Sequence, residues 1–249
     1  MKVLITGASS GIGRDMAREF AKRKYDLVLV ARDEEKLNEL KKELSKEVEV
    51  TVILMDLSEE ANCRKLFDMQ RDIDILINNA GFGVFGDFTE TNLDKEISLI
   101  NTNIMAVHIL TKLYLTEMCK KNGGKILNVS SIAGSMPGPL MSAYYASKAY
   151  VLRLSEGIRE ELKRNNSKVQ ISVLQPGPVN TNFNNVADVK FNLNSLTSEY
   201  VARYTVNKFL KGKFYIVPGF SIKLTRVFAK VIPNNILAKV AYNVQEKKR

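Results

Sequence analysis

No tryptophan, a single histidine and only two cysteines occur among the 249 residues of this chain, and each scarcity removes a kind of chemistry. With His108 alone, neither a Ser-His-Asp hydrolase triad nor a histidine-rich zinc site can be assembled. His108 falls within a helical pattern and reads as structural. Cys63 and Cys119 lack metal-like spacing and give no disulfide framework, which suits a reducing compartment. No apolar run reaches the ~18 residues that a membrane span needs. The first strand begins at Lys2 and leaves no room for a cleaved signal, so a cytoplasmic protein is expected. Acidic residues are also few, 27 against 37 Lys and Arg, for a net charge of +10. That balance favours acidic ligands or anionic surfaces. Without zinc-finger spacing or an aromatic-basic RNA signature, no nucleic-acid partner is expected.

What the chain does contain is alternation. Residues 3–5, 27–30, 50–55 and 73–77 read as strands, with helices at 11–24, 33–46 and 59–70 between them. The strands are apolar throughout, as expected where both faces of a parallel sheet are covered. The helix at 33–46 carries Leu37, Leu40 and Leu44 among charges, the pattern of a surface helix. Successive βα units predict an α/β fold with a doubly wound, Rossmann-like parallel sheet in three layers. Apolar content of 45% and the absence of a linker predict one domain over 1–218, with 219–249 as a basic helical extension of it.

Two stretches carry chemistry. The turn Thr6-Gly7-Ala8-Ser9-Ser10-Gly11-Ile12-Gly13 joins the first strand to the first helix. Glycines there permit a tight turn and close approach of a pyrophosphate to main-chain N–H groups at the positive helix end. Further on, a strand at 126–129 runs into Ser130-Ser131, a Gly/Pro-rich loop and the helical segment opened by Tyr144. Tyr144 and Lys148 share a helix face. A phenol titrates near pH ~10, and an adjacent ammonium lowers that value toward the range useful for acid–base work. Ser131 can lend a hydroxyl to the same substrate oxygen.

With these residues in view, the chain resembles the short-chain dehydrogenases/reductases in their compact, single-domain form. The glycine turn fits that family's Thr-Gly-x-x-x-Gly-x-Gly pattern, and Asn78-Asn79-Ala80-Gly81 fits its second signature. Ser131, Tyr144 and Lys148 fit the catalytic spacing, and Pro176-Gly177 with Thr181 fits the segment after the sixth strand. The resemblance implies that Tyr144 is the acid/base, that Lys148 depresses its pKa and binds the nicotinamide ribose, and that Ser131 orients the substrate oxygen. It also implies an Asn in the long helix at 94–121, holding a helix distortion and a water that passes protons to Lys148. Asn103 fits better than Asn101, with Ala106 where the family usually has Gly.

For the cofactor, the resemblance implies Gly7, Ser9, Ser10, Gly11, Ile12 and Gly13 around the pyrophosphate and Asp56 with Leu57 at the adenine. Asn78, Ala80 and Gly81 would lie at the adenine ribose, and Pro176, Val179 and Thr181 at the nicotinamide carboxamide. Asp56 has a competing role as a helix cap. An NAD-selective site ends its second strand with an acid on the ribose. Here Ala31 holds that position and Arg32 offers a guanidinium suited to phosphate, which predicts NADP(H). Asp33 either caps the next helix or takes the ribose.

The expected reaction is reduction of a carbonyl, a ketone or 3-oxoacyl compound, to a hydroxyl or its reverse. The alternative is a non-catalytic NADP(H)-binding regulator. The resemblance also implies a homodimer or homotetramer through the helices at 94–121 and 142–164. Beyond Gly177 an irregular stretch to Leu196 suits a lid, followed by a helix at 198–210 and a strand at 213–217. Phe82, Val84, Phe85, Met136, Leu140, Met141 and Phe183 are candidates for an apolar pocket. Near the end, Leu224, Val227, Phe228 and Val231, then Ile236, Val240 and Val244, fall at helical spacing. Seven basic residues against one acidic accompany them in 219–249. These stripes close the pocket, pack on a second subunit, or lie on a membrane surface.

Overall fold

Strands that are apolar on both faces need cover on both sides. The structure, a computed structural model, describes residues 1–180 and 195–246. Its strands are β1 (Lys2–Thr6), β2 (Asp26–Ala31), β3 (Val50–Leu54), β4 (Ile75–Asn78), β5 (Lys125–Val129), β6 (Gln170–Leu174), β7 (Val179–Asn180), β8 (Leu196–Thr197) and β9 (Tyr215–Ile216). One seven-stranded sheet runs in the order β3-β2-β1-β4-β5-β6-β9, with every neighbour parallel, and β7 pairs with β8 apart from it.

Side-chain alternation divides the core. Val3 and Ile5 of β1 face one layer, formed by α1 (Gly11–Ala21), α2 (Glu34–Leu44) and α7 (Ser198–Leu210), through Met16, Phe20, Leu37 and Phe209. Leu4 faces the other, formed by α3 (Glu60–Met69), α5 (Val107–Lys120) and α6 (Ser142–Arg164), through Leu66, Tyr114 and Leu152. The result is the expected three-layer, doubly wound fold. Because β1 is flanked by β2 on one side and β4 on the other, the chain reverses direction there and opens a crevice beyond the carboxyl ends of the strands.

Local chemistry sets several boundaries. Asp33 accepts from the N–H of Lys36 at 3.1 Å and caps α2. Thr197 does the same for α7 from Tyr200. The long helix expected at 94–121 is three pieces: α4 (Leu93–Ile100), a π-helical turn at Asn101–Ala106, and α5. A π-turn widens the helix and re-aims its side chains, which bears on Asn103 below.

The chain finishes, within the described residues, in two helices, α8 (Phe220–Phe228) and α9 (Asn234–Glu246). No side chain of α8 is buried, and Phe220 and Val231 are 76% and 73% exposed. Of α9, Leu237, Ala241 and Gln245 are buried. Ile236, Val240 and Val244 face outward, so this stripe does not close the chain's own pocket. Both rows repeat every four residues, so periodicity alone does not choose between them. Among the described residues no helix is long and apolar enough to cross a membrane.

Candidate active site

A cleft of about 520 Å³ runs along the carboxyl ends of the strands, from the β2 end past the glycine turn to α6 and α9. At its centre the turn after β1 carries Gly7 with φ +64°, and a Cβ there would lie 2.8 Å from Ala80 Cα. Asn79 clamps the turn: its amide donates to the carbonyls of Thr6 at 2.9 Å and Gly7 at 3.1 Å. The N–H groups of Asn79 and Ala80 both donate to Thr6 Oγ1 at 3.0 Å. Gly7, Ser9, Ser10, Gly11 and Ile12 line the cleft. Gly13 does not; a Cβ there would sit 2.4 Å from Gly7 O and from Asn79 Nδ2, so this glycine lets α1 pack against the turn. The first turn of α1 holds no acidic residue, and Ser10 makes no side-chain cap. A helix N-terminus left in this condition, in a cradle that side chains would fill, fits a pyrophosphate.

Asn78 requires a correction. Its side chain is buried away from the cleft, donating to Asn128 Oδ1 at 2.9 Å and Thr111 Oγ1 at 3.0 Å. As the last residue of β4 it shares the Leu76 face, under α5, whereas Asn79, Ala80 and Gly81 lie beyond the strand and line the cleft. Asn79, quoted in the motif but given no role, is the residue that ties the two turns together.

At the β2 end, the Arg32 side chain is 63% exposed, with Nη1 3.3 Å from Asp56 Oδ2. Asp33 is committed to Lys36, through the cap and an ion pair with its ammonium, which holds the Asp33 carboxyl below its usual range. Lys36, in the first turn of α2 and four residues beyond Arg32, lines the cleft as well, a cation that the sequence pattern did not single out. Asp56 accepts from Ser58 N at 2.9 Å; the N-cap position of α3 is Glu59, whose side chain makes no cap bond, so Asp56 is not the helix cap. Burial pushes the Asp56 carboxyl up, but the Ser58 donors and Arg32 outweigh it and keep it ionised.

At the other end, Ser131, Tyr144 and Lys148 converge. Ser131 lies two residues beyond β5 and caps a 3-10 turn, accepting from Ala133 N at 3.1 Å, and the Tyr144 side chain hydrogen-bonds it. Lys148 is buried; its Nζ donates to Val129 O at 3.0 Å and stands 5.7 Å from the centroid of the Tyr144 ring. Burial dominates both groups. It pushes the Tyr144 phenol up to about 12, with the Ser131 bond opposing, and the Lys148 ammonium down to about 8. The net shift of Tyr144 is thus upward and not the expected depression, because burial dominates while the ammonium is bonded to a carbonyl.

Asn103 sits in the π-turn, fully buried, gripping Phe82 by its N–H at 3.1 Å and its carbonyl at 2.9 Å and donating to Ser147 Oγ at 3.0 Å. A Cβ on Gly81 would meet Asn103 Oδ1 at 2.8 Å and Lys148 Nζ at 3.3 Å, so Asn103 stands beside Lys148 across a glycine. Pro176 and Val179 line the cleft; Thr181, Phe183 and the expected lid lie outside the described residues. Of the apolar candidates, Phe82 and Met141 line the cleft, Phe85 packs on Met141, and Val84, Met136 and Leu140 do not line it. Tyr145 and Gln245 do, and neither was anticipated. His108 lies outside the cleft, bonded to Tyr150 at 2.7 Å.

An anion cradle at the switch point of a doubly wound sheet marks the dinucleotide-binding α/β proteins. Within that class the assignment is specific: residues 1–190 match the family model for short chain dehydrogenase, and the chain belongs to that family. It is 38% identical over 181 residues to a very-long-chain 3-oxoacyl-CoA reductase of Anas platyrhynchos, covering 67% of this chain and 56% of that protein. The chain thus spans little more than half the length of that relative. Among solved structures, a short-chain dehydrogenase from Sphingobium yanoikuyae in complex with NADPH superposes with a TM-score of 0.84 at 31% identity, covering 92% of this chain and 93% of that one. A short chain dehydrogenase/reductase from Burkholderia phymatum in complex with NAD gives 0.83 at 27% identity, covering 91% of each.

Proposed function

We propose that this protein is an NADPH-dependent oxidoreductase that reduces a ketone or 3-oxoacyl-type carbonyl to a hydroxyl, or runs the reverse. The observation that carries this is the Ser131–Tyr144 hydrogen bond with Lys148 alongside, in the same cleft as the glycine turn. Gly7 to Ile12 would hold the pyrophosphate, Arg32 and Lys36 a 2′-phosphate, and Asp56 with Leu57 the adenine. Ala80 and Gly81 would flank the adenine ribose, Tyr144 and Lys148 the second ribose, and Pro176, Val179 and Thr181 the carboxamide. When bound, the cofactor supplies a hydride to the carbonyl carbon.

The chain's own groups do the rest. Ser131 orients the carbonyl oxygen by hydrogen bonding. Tyr144, kept protonated by burial, gives its proton to that oxygen, so carbonyl, hydride and proton together make the alcohol. Lys148, with a pKa of about 8, is charged at neutral pH and stabilises the phenolate left behind. Asn103 holds Phe82 and Ser147 against the Lys148 side and keeps this wall fixed. Purified protein supplied with NADPH and a panel of aldehydes, ketones and 3-oxoacyl thioesters should consume the cofactor. Tight NADPH binding with no turnover on a broad panel would favour the regulator instead.

Two exposed surfaces suit partners. Ile97 and Ile100 of α4, Met105 of the π-turn and Tyr150 of α6 are exposed apolar positions on the long helices, and a second copy of the chain would bury them. Wild type should sediment as a dimer or larger, and Ile100→Lys with Met105→Lys as a monomer; a monomeric wild type removes the assignment. Around α8, exposed Phe220, Phe228 and Val231 lie near the exposed Lys223 and Lys230, a combination suited to an anionic bilayer surface. Flotation with anionic vesicles at low salt should recover the protein, and recovery equal to that with neutral vesicles would exclude this contact.

A further inference from the structure

Next to Tyr144 the cleft carries a second phenol. We propose that Tyr145 and Gln245 form a second polar anchor of the substrate cleft, selecting carbonyl compounds that bear another acceptor oxygen close to the reacting carbonyl. This rests on the reductase function proposed above and names its substrate class.

Tyr145 is held in place from several sides. Its ring lies on Gly138, where a Cβ would come within 2.1 Å of Tyr145 Cγ, so no other residue leaves room for the ring. Met141 packs against it, and the Tyr144 ring meets it edge-on at 6.1 Å between centroids. Both tyrosines line the same cleft.

Gln245 comes from the far end of the chain. It occupies the third position of the buried row of α9, after Leu237 and Ala241, and is 3% exposed. An apolar residue would satisfy the packing there, and burying an amide is costly unless it is hydrogen-bonded. Its Nε2 donates to the Tyr145 hydroxyl at 2.8 Å. A phenol has one proton to give. With its oxygen accepting from the amide, Tyr145 keeps that proton, for which no acceptor is found among the described residues. Burial raises the Tyr145 pKa, so the group acts as a hydrogen-bond donor and not as an acid. Both residues line the cleft, as does Met141, on which Tyr145 packs. A lone donor in apolar surroundings discriminates more strongly than added apolar contact, because a substrate without the matching oxygen leaves it unpaired.

The test compares kcat/KM for a 3-oxo ester with that for a monoketone of the same length in which methylene replaces the second carbonyl. Wild type, Tyr145→Phe, Gln245→Leu and the double variant are assayed with NADPH, and the thermal midpoint of each is recorded. The ratio of the two kcat/KM values should fall roughly tenfold in Tyr145→Phe, the worth of one hydrogen bond. Intrinsic reactivity of the two compounds cancels in this comparison. Gln245→Leu should move the ratio the same way, and the double variant should lose no more than Tyr145→Phe, as groups acting together do. Should Gln245→Leu fail to fold, Tyr145→Phe decides alone. An unchanged or increased ratio in Tyr145→Phe, with wild type active, overturns the anchor and leaves the reductase standing. A wild type inert on both compounds overturns the two together.

Discussion

Tyr144→Phe should lower kcat/KM for carbonyl reduction by roughly 10³-fold, the scale of a lost general acid, while the folded protein still binds NADPH. The variant removes one hydroxyl from a site whose other parts remain: Ser131 keeps its bond from Ala133, and Lys148 keeps its bond to Val129. What disappears is the only phenolic proton bonded to Ser131 among the described residues. The pH profile gives a second measure. In the reductive direction Tyr144 must arrive protonated, and with its pKa pushed up to about 12 it does so throughout the neutral range. Lys148 must be charged to stabilise the phenolate, and burial has brought its pKa down to about 8. Reductive kcat should therefore be flat below about pH 7 and fall as pH rises through the Lys148 value, and Lys148→Ala should abolish that inflection. A loss smaller than tenfold in Tyr144→Phe would exclude this residue as the proton donor.

Arg32→Glu should reverse cofactor preference, lowering the ratio of kcat/KM with NADPH to that with NADH at least ~100-fold, since a charge-assisted bond of about 1.5–3 kcal/mol is exchanged for repulsion. Arg32 is mostly exposed, and its 3.3 Å contact with Asp56 is too weak and wet to hold it against a phosphate. Its neighbour Asp33, the alternative partner for the ribose of NAD, is engaged by Lys36 through the α2 cap and an ion pair. With NADPH bound as proposed, the β2 end would present cations to the 2′-phosphate, and a carboxylate placed there would repel it and accept from ribose hydroxyls instead. Wild type that uses NADH as efficiently as NADPH would overturn the assignment.

Much of this was legible in the residues. Alternating apolar runs and amphipathic helices specify a doubly wound sheet because parallel strands must be covered on both faces. The glycine turn is legible because only glycine admits the φ of Gly7 with Ala80 so close. The ends of α7 and the Asp33 cap were readable because capping is local, decided within a few residues. Tyr144 and Lys148 share a face by helical geometry alone.

Other features needed the folded chain. Asn78 and Asn79 are equivalent in composition, and only the point where β4 ends decides which of them faces the cleft. Two apolar rows on α9 have the same period, and packing chose the one ending in Gln245, which placed a distant amide on Tyr145. The ionisation of Tyr144 and Lys148 depends on burial and on which carbonyl the ammonium meets, neither of which their spacing encodes. The sequence by itself determined the elements and the chemical groups at their ends, because these follow from local geometry. Tertiary structure alone decided which groups face one another and how far water is excluded, because those depend on residues that are remote along the chain.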